Sequence, residues 1–97
     1  MRIVVRFKGE LKSLNPSLST VIIDVKHDKV RIIDIIKELV NKIDDNLKNS
    51  LFANELNLEL RKNVIMLFKG RSIKDLKEEI TEQGEVEISF IPFAGGG

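Results

Sequence analysis

Ninety-seven residues leave room for one modest hydrophobic core and not for two domains. A hydrophobic fraction of 42% with a mean hydropathy of -0.06 excludes wholesale disorder. The longest apolar run, Val64 to Phe68, falls far short of the roughly 20 residues a membrane-spanning helix needs. Sixteen Lys and Arg against fifteen Asp and Glu give a net charge of +1, which argues against the broad basic face of a direct nucleic-acid binder.

From Arg2 to Lys8 the residues alternate, with Ile3, Val5 and Phe7 on one side and Arg2, Val4, Arg6 and Lys8 on the other, which predicts a strand with one buried face. Gly9 and Asn15-Pro16-Ser17 supply turn chemistry before a second strand, in which Val21, Ile23 and Val25 face inward and Ile22, Asp24 and Lys26 outward. The pair is expected to form an antiparallel hairpin. His27 lies among Lys26, Asp28 and Lys29, with no second metal ligand beside it, and reads as a solvated loop residue.

Asp28 is the expected N-cap of the main helix, Ile32 to Leu47, whose Ile32, Ile36, Leu39, Val40, Ile43 and Leu47 recur at spacings of three and four. That stripe has to be buried against a sheet. Residues 49–63 read as a connection with one short strand at Leu58 to Leu60, and Val64 to Phe68 as a strand closed by a tight turn at Lys69-Gly70. Ser72 with Asp75 resembles a capping box opening a short helix with Ile73, Leu76 and Ile80 on one side. After Gln83-Gly84, Val86, Ile88 and Phe90 alternate in a last strand that Pro92 ends, ahead of Gly95-Gly96-Gly97.

Catalytic constellations are missing from this sequence. It has no Cys and one His, so disulfides, thiolate metal sites and cysteine nucleophiles are excluded. The adjacent Glu78 and Glu79, read as helical, point in different directions. The terminal glycines precede no helix that could present N–H groups to a phosphate. Charge is uneven: residues 1–31 carry seven basic and three acidic side chains, and residues 75–87 six acidic and one basic, which leaves a charged docking patch open. The basic N-terminus has no signal-peptide core, and a cytoplasmic location is expected.

The end of the chain is the informative feature. Three residues without side chains make a flexible thread, residues 95–97, that can enter a channel closed to any other residue, after a domain spanning residues 1–94. Its carboxylate can then be offered to another protein's active site. A frayed, functionless end is the alternative.

The order strand, strand, long helix, strand, short helix, strand ending in diglycine resembles the ubiquitin-like β-grasp family, an α+β fold with a mixed sheet. Within it, the chain is similar to the sulfur carriers of the MoaD and ThiS type and the small archaeal modifiers. The similarity lies in Val5 to Lys12, Val30 to Ile36, Leu51-Phe52 with Leu60-Arg61, Phe68-Lys69-Gly70-Arg71-Ser72-Ile73, Gly84 to Ile88 and Pro92-Phe93-Ala94-Gly95-Gly96. Lys69 stands where the family usually has Asn, a departure expected to affect the turn more than function.

That resemblance implies a non-catalytic carrier whose C-terminal carboxylate is adenylated by an E1-like enzyme of the MoeB or ThiF type, using ATP and magnesium. The chain itself would hold no cofactor. A sulfur nucleophile then yields a thiocarboxylate for molybdopterin synthesis, with the synthase large subunit as partner, or for a tRNA-thiolation enzyme. A lysine amine of a target protein yields a conjugate. Aligned on Pro92, the family's diglycine falls on Gly95-Gly96, so either Gly97 or a trimmed Gly96 is the reactive residue. Ile22 and Val4, outward on their strands, and Ile91 and Phe93 before the glycines are expected to form one partner-binding patch. A β-grasp interaction module with an incidental tail is the alternative reading.

Overall fold

A computed structural model describes residues 1–11 and 19–93. The Asn15-Pro16-Ser17 turn and the three terminal glycines lie outside the described residues. Alternation in the first two segments produces β1 (Arg2–Phe7) and β2 (Thr20–Asp24), an antiparallel pair with Val4 opposite Ile22. The last strand, β9 (Glu85–Pro92), runs parallel to β1 with Phe90 beside Phe7, and β6 (Val64–Phe68) is antiparallel to β9 on its other side. With β7 (Arg71–Ser72), the five-stranded sheet has the order β2-β1-β9-β6-β7. This is the expected α+β mixed sheet, and it places β1 and β9 inside, away from its edges.

One detail of the crossover differs from expectation. A right-handed strand-helix-strand crossover is expected to return the strand after the helices beside β1, yet β6 pairs with β9. The path from β2 carries the chain one strand beyond β1, and β9 fills the gap, where both of its edges gain partners.

The long helix is two helices. α1 (Ile32–Val40) stops at Asn41, and α2 (Asp45–Leu51) starts at its N-cap Asp44, whose carboxylate accepts from the Leu47 N–H at 2.9 Å. Breaking at a good cap costs little. It also brings Leu47 and Leu51 fully into the core beside Ile32, Ile36 and Leu39.

Asp28 does not cap α1. The helix follows directly on β3 (Val30–Arg31), and no side chain caps it. Its first donors go instead to main chain: Ile32 N–H to the Glu78 carbonyl (2.9 Å) and Ile33 N–H to the Leu76 carbonyl (2.8 Å). This contact also overturns the short helix expected after Ser72. The 76–78 carbonyls are committed to α1, Ser72 pairs with Leu67, and β8 (Glu79–Ile80) pairs with β3. Asp75 serves a turn, accepting from the Lys77 N–H at 2.9 Å.

In the connection, β4 (Phe52–Asn54) pairs with β5 (Glu59–Leu60), one residue shorter than the strand expected there. The core lies between the helices and one sheet face. It contains Ile3, Val5, Phe7, Val21, Ile23, Val86, Ile88 and Phe90, with Val25 half-buried at its margin.

The two-residue Lys69-Gly70 turn has positive φ at both positions, 54° and 78°, with Phe68 opposite Arg71. That is the type I′ geometry, which favours Asn or Gly. A left-handed non-glycine residue costs about 1–2 kcal/mol, whereas the exposed Lys69–Glu82 ion pair returns at most about 1 kcal/mol. Lys69→Asn is therefore expected to raise the melting temperature by about 4 °C, read by circular dichroism. An unchanged or lower value would mean that the ion pair outweighs the backbone strain.

Candidate functional site

The described chain ends beside the sheet's centre. β9 is paired on both edges, so its direction of exit is fixed by two ladders. Lys8 N–H donates to the Phe90 carbonyl at 3.0 Å on one side, and Pro92 lies opposite Val64 on the other. One residue later, Phe93 N–H donates to the Asn63 carbonyl at 2.9 Å.

Gly9 makes room for this exit. Its φ is +60°, and a Cβ there would sit 3.2 Å from Pro92 Cγ. A side chain at this position would be strained and would press on the proline.

Of the residues expected to bind a partner, Ile22 is 50% exposed, Phe93 39% exposed, and Ile91 half-buried. Val4 is only 4% exposed. It points to the outer face as its alternation requires, but a central strand is flanked on both sides, here by Ile22 and Glu87 in register with it.

The four residues do not form one continuous patch. Val4 and Ile22 are cross-strand neighbours at one side. Ile91 lies four residues further along β9 from Glu87, opposite Ile65 of β6. Between the two groups runs the ion pair of Arg6 with Glu87, at 2.6 Å. The second apolar group gains Ile65 and Leu67, both half-buried. These were missed because Val64 to Phe68 is apolar throughout, which hides the alternation that buries Val64, Met66 and Phe68 and turns the other two outward.

Among the described residues no group of three or more His, Asp or Glu side chains is placed to hold a metal ion. His27 is exposed on its loop. Glu78 and Glu79 lie outside any helix, and Glu78 accepts from Arg71 at 2.9 Å. No described helix is long and apolar enough to cross a membrane.

No protein-family model matches the sequence, and no curated protein matches it. Solved structures do. SAMP1 from Haloferax volcanii is similar over 100% of both chains, with a TM-score of 0.74 at 22% identity. A structure of H. volcanii small archaeal modifier protein 1 is similar over 94% of this chain and 95% of that one, with a TM-score of 0.71 at 21% identity. A molybdopterin converting factor, subunit 1, from Pyrococcus furiosus follows at 0.63 and 18%, over 95% and 97% of the two chains. A mixed sheet with its first and last strands parallel at the centre, crossed by helices on one face, thus gives this chain the β-grasp fold of the small archaeal modifier and MoaD-like proteins.

Proposed function

We propose that the chain is a ubiquitin-like sulfur carrier or small protein modifier, an acyl donor without catalytic groups of its own. The observation that carries this reading is the exit of β9. Main-chain bonds hold the described chain as far as Phe93, and the sequence continues with Ala94-Gly95-Gly96-Gly97. Four residues reach at most about 14 Å. A carboxylate on such a short side-chain-poor tether, beside a rigid handle, suits a substrate that must enter another enzyme's cleft. The β-grasp fold shared with small archaeal modifiers supports it.

In this reading an E1-like enzyme of the MoeB or ThiF type binds the domain, and the glycine carboxylate attacks the α-phosphorus of ATP, with magnesium, releasing pyrophosphate. The acyl-adenylate is a mixed anhydride. A sulfur nucleophile displaces AMP on the way to a thiocarboxylate, for molybdopterin synthase or a tRNA-thiolation enzyme. A lysine amine displaces it to give an isopeptide. Both outcomes pass through the same adenylate, in the cytoplasm. ATP–pyrophosphate exchange by the cognate enzyme, dependent on this chain, tests the reading, and exchange unaffected by its addition would remove it.

Docking in this reading uses the outer sheet face next to the exit, with Phe93 and Ile91 continued by Ile65 and Leu67. Phe93→Asp is expected to weaken affinity for the activating enzyme at least tenfold, about 1.4 kcal/mol. Stability should change by less than about 1 kcal/mol, the scale of surface substitutions. Calorimetric titration and thermal melts measure the two, and a parallel loss of both would assign Phe93 to the core.

A further inference from the structure

We propose that the free edge of β2 pairs with the same edge of a second copy of this chain, joining the two sheets into one across a two-fold axis at Ile22. β2 stands at the end of the sheet order, and among the described residues only β1 pairs with it. Phe7 N–H donates to the Ser19 carbonyl and Val25 N–H to the Met1 carbonyl. In an antiparallel ladder the bonding direction alternates, so Ser19, Val21, Ile23 and Val25 turn their main-chain groups toward β1. Thr20, Ile22 and Asp24 turn theirs to the open side.

A register centred on Ile22 satisfies all three at once. It sets Ile22 against the partner's Ile22 and Thr20 against the partner's Asp24, each a hydrogen-bonded pair. Asp24, the one charged residue of β2, then meets a hydroxyl and not a second carboxylate. Its two copies fall at opposite ends, about 14 Å apart. The net charge of +1 leaves little repulsion between whole molecules.

The edge also lacks the usual obstacles to pairing. β2 contains no Pro and no Lys, and its register with β1 is unbroken by a bulge. Ile22, half exposed in the single chain, would be covered, and the Val4–Ile22 row on the outer face would continue into the partner. β9 lies two strands inward in each copy, so the two exits point to opposite ends of the joined sheet, about 24 Å apart laterally. Pairing at β2 therefore leaves the described ends of both β9 strands uncovered, and the proposal stands or falls separately from the carrier reading.

Sedimentation velocity and amide hydrogen exchange, each from low-micromolar to millimolar protein, test this. The mass is expected to rise from 11.0 kDa toward twice that value. The amides of Thr20, Ile22 and Asp24 should gain protection with concentration, while those of Val21 and Ile23 stay protected throughout. Ile22→Lys, which sets two ammonium groups on residues about 5.5 Å apart, should return the protein to a monomer and abolish the concentration dependence. Continued protection of Val21 and Ile23 in that variant shows that β2 is still folded. A constant monomer mass, or a dimer that survives Ile22→Lys without new protection at the three amides, overturns the proposal.

Discussion

Removal of Gly96 and Gly97 is expected to abolish adenylation by the activating enzyme while leaving the melting temperature unchanged. Main-chain pairing of the described residues reaches Phe93, and two glycines bring no side chain to the core, whereas the reaction needs the carboxylate at a set distance from the handle. Loss of two residues shortens the reach by about 7 Å, and a misplacement of even 1 Å can lower a rate about a hundredfold. Removal of Gly97 alone decides the register. A reactive Gly97 predicts poor activation of the shortened chain; a reactive Gly96 predicts better activation than the full sequence gives. Gly96→Val tests the channel separately, because it keeps the carboxylate and adds a branched side chain. Undiminished activation of that variant would refute the narrow channel.

Phe90→Ala should produce the opposite pattern, a collapse of stability with the tail intact. Phe90 is 1% exposed in the central strand, and its ring stacks on Phe7 at 5.7 Å between centroids. Truncating a buried Phe costs about 3–5 kcal/mol, and losing the aromatic pair adds to it. Against a total of roughly 5–15 kcal/mol for a domain of this size, that is a large share. Denaturant unfolding measures it, and the melting temperature should fall by at least about 12 °C. A loss below about 1 kcal/mol would mean that the cavity refills and that the β1–β9 contact is not the centre of the core.

Period-two alternation made the β1–β2 hairpin and β9 legible, because each buries one face and wets the other. The spacing of Ile32, Ile36 and Leu39 made α1 legible for the same reason. The break between α1 and α2 was hidden, since Ile43 and Leu47 continue the apolar repeat through it and the local cap at Asp44 decides against continuity. Ser72 and Asp75 misled because a local capping pattern lost to a distant demand: the N–H groups of Ile32 and Ile33 needed acceptors, and the 76–78 carbonyls supplied them.

At the candidate site, the face of each residue was readable and its coverage was not. Alternation turns Val4 outward correctly, yet only the sheet order shows that a central strand shields it. Nor does the sequence reveal that Arg6 and Glu87 meet across strands and divide the apolar surface.

The most direct test of the carrier account is the intact mass of the full chain after incubation with ATP, magnesium and the cognate E1-like enzyme. Gain of one adenylyl group, mapped by fragmentation to the terminal glycine and lost when the last two glycines are deleted, is the predicted result. An unmodified mass under conditions in which the enzyme adenylates another β-grasp carrier would contradict the account.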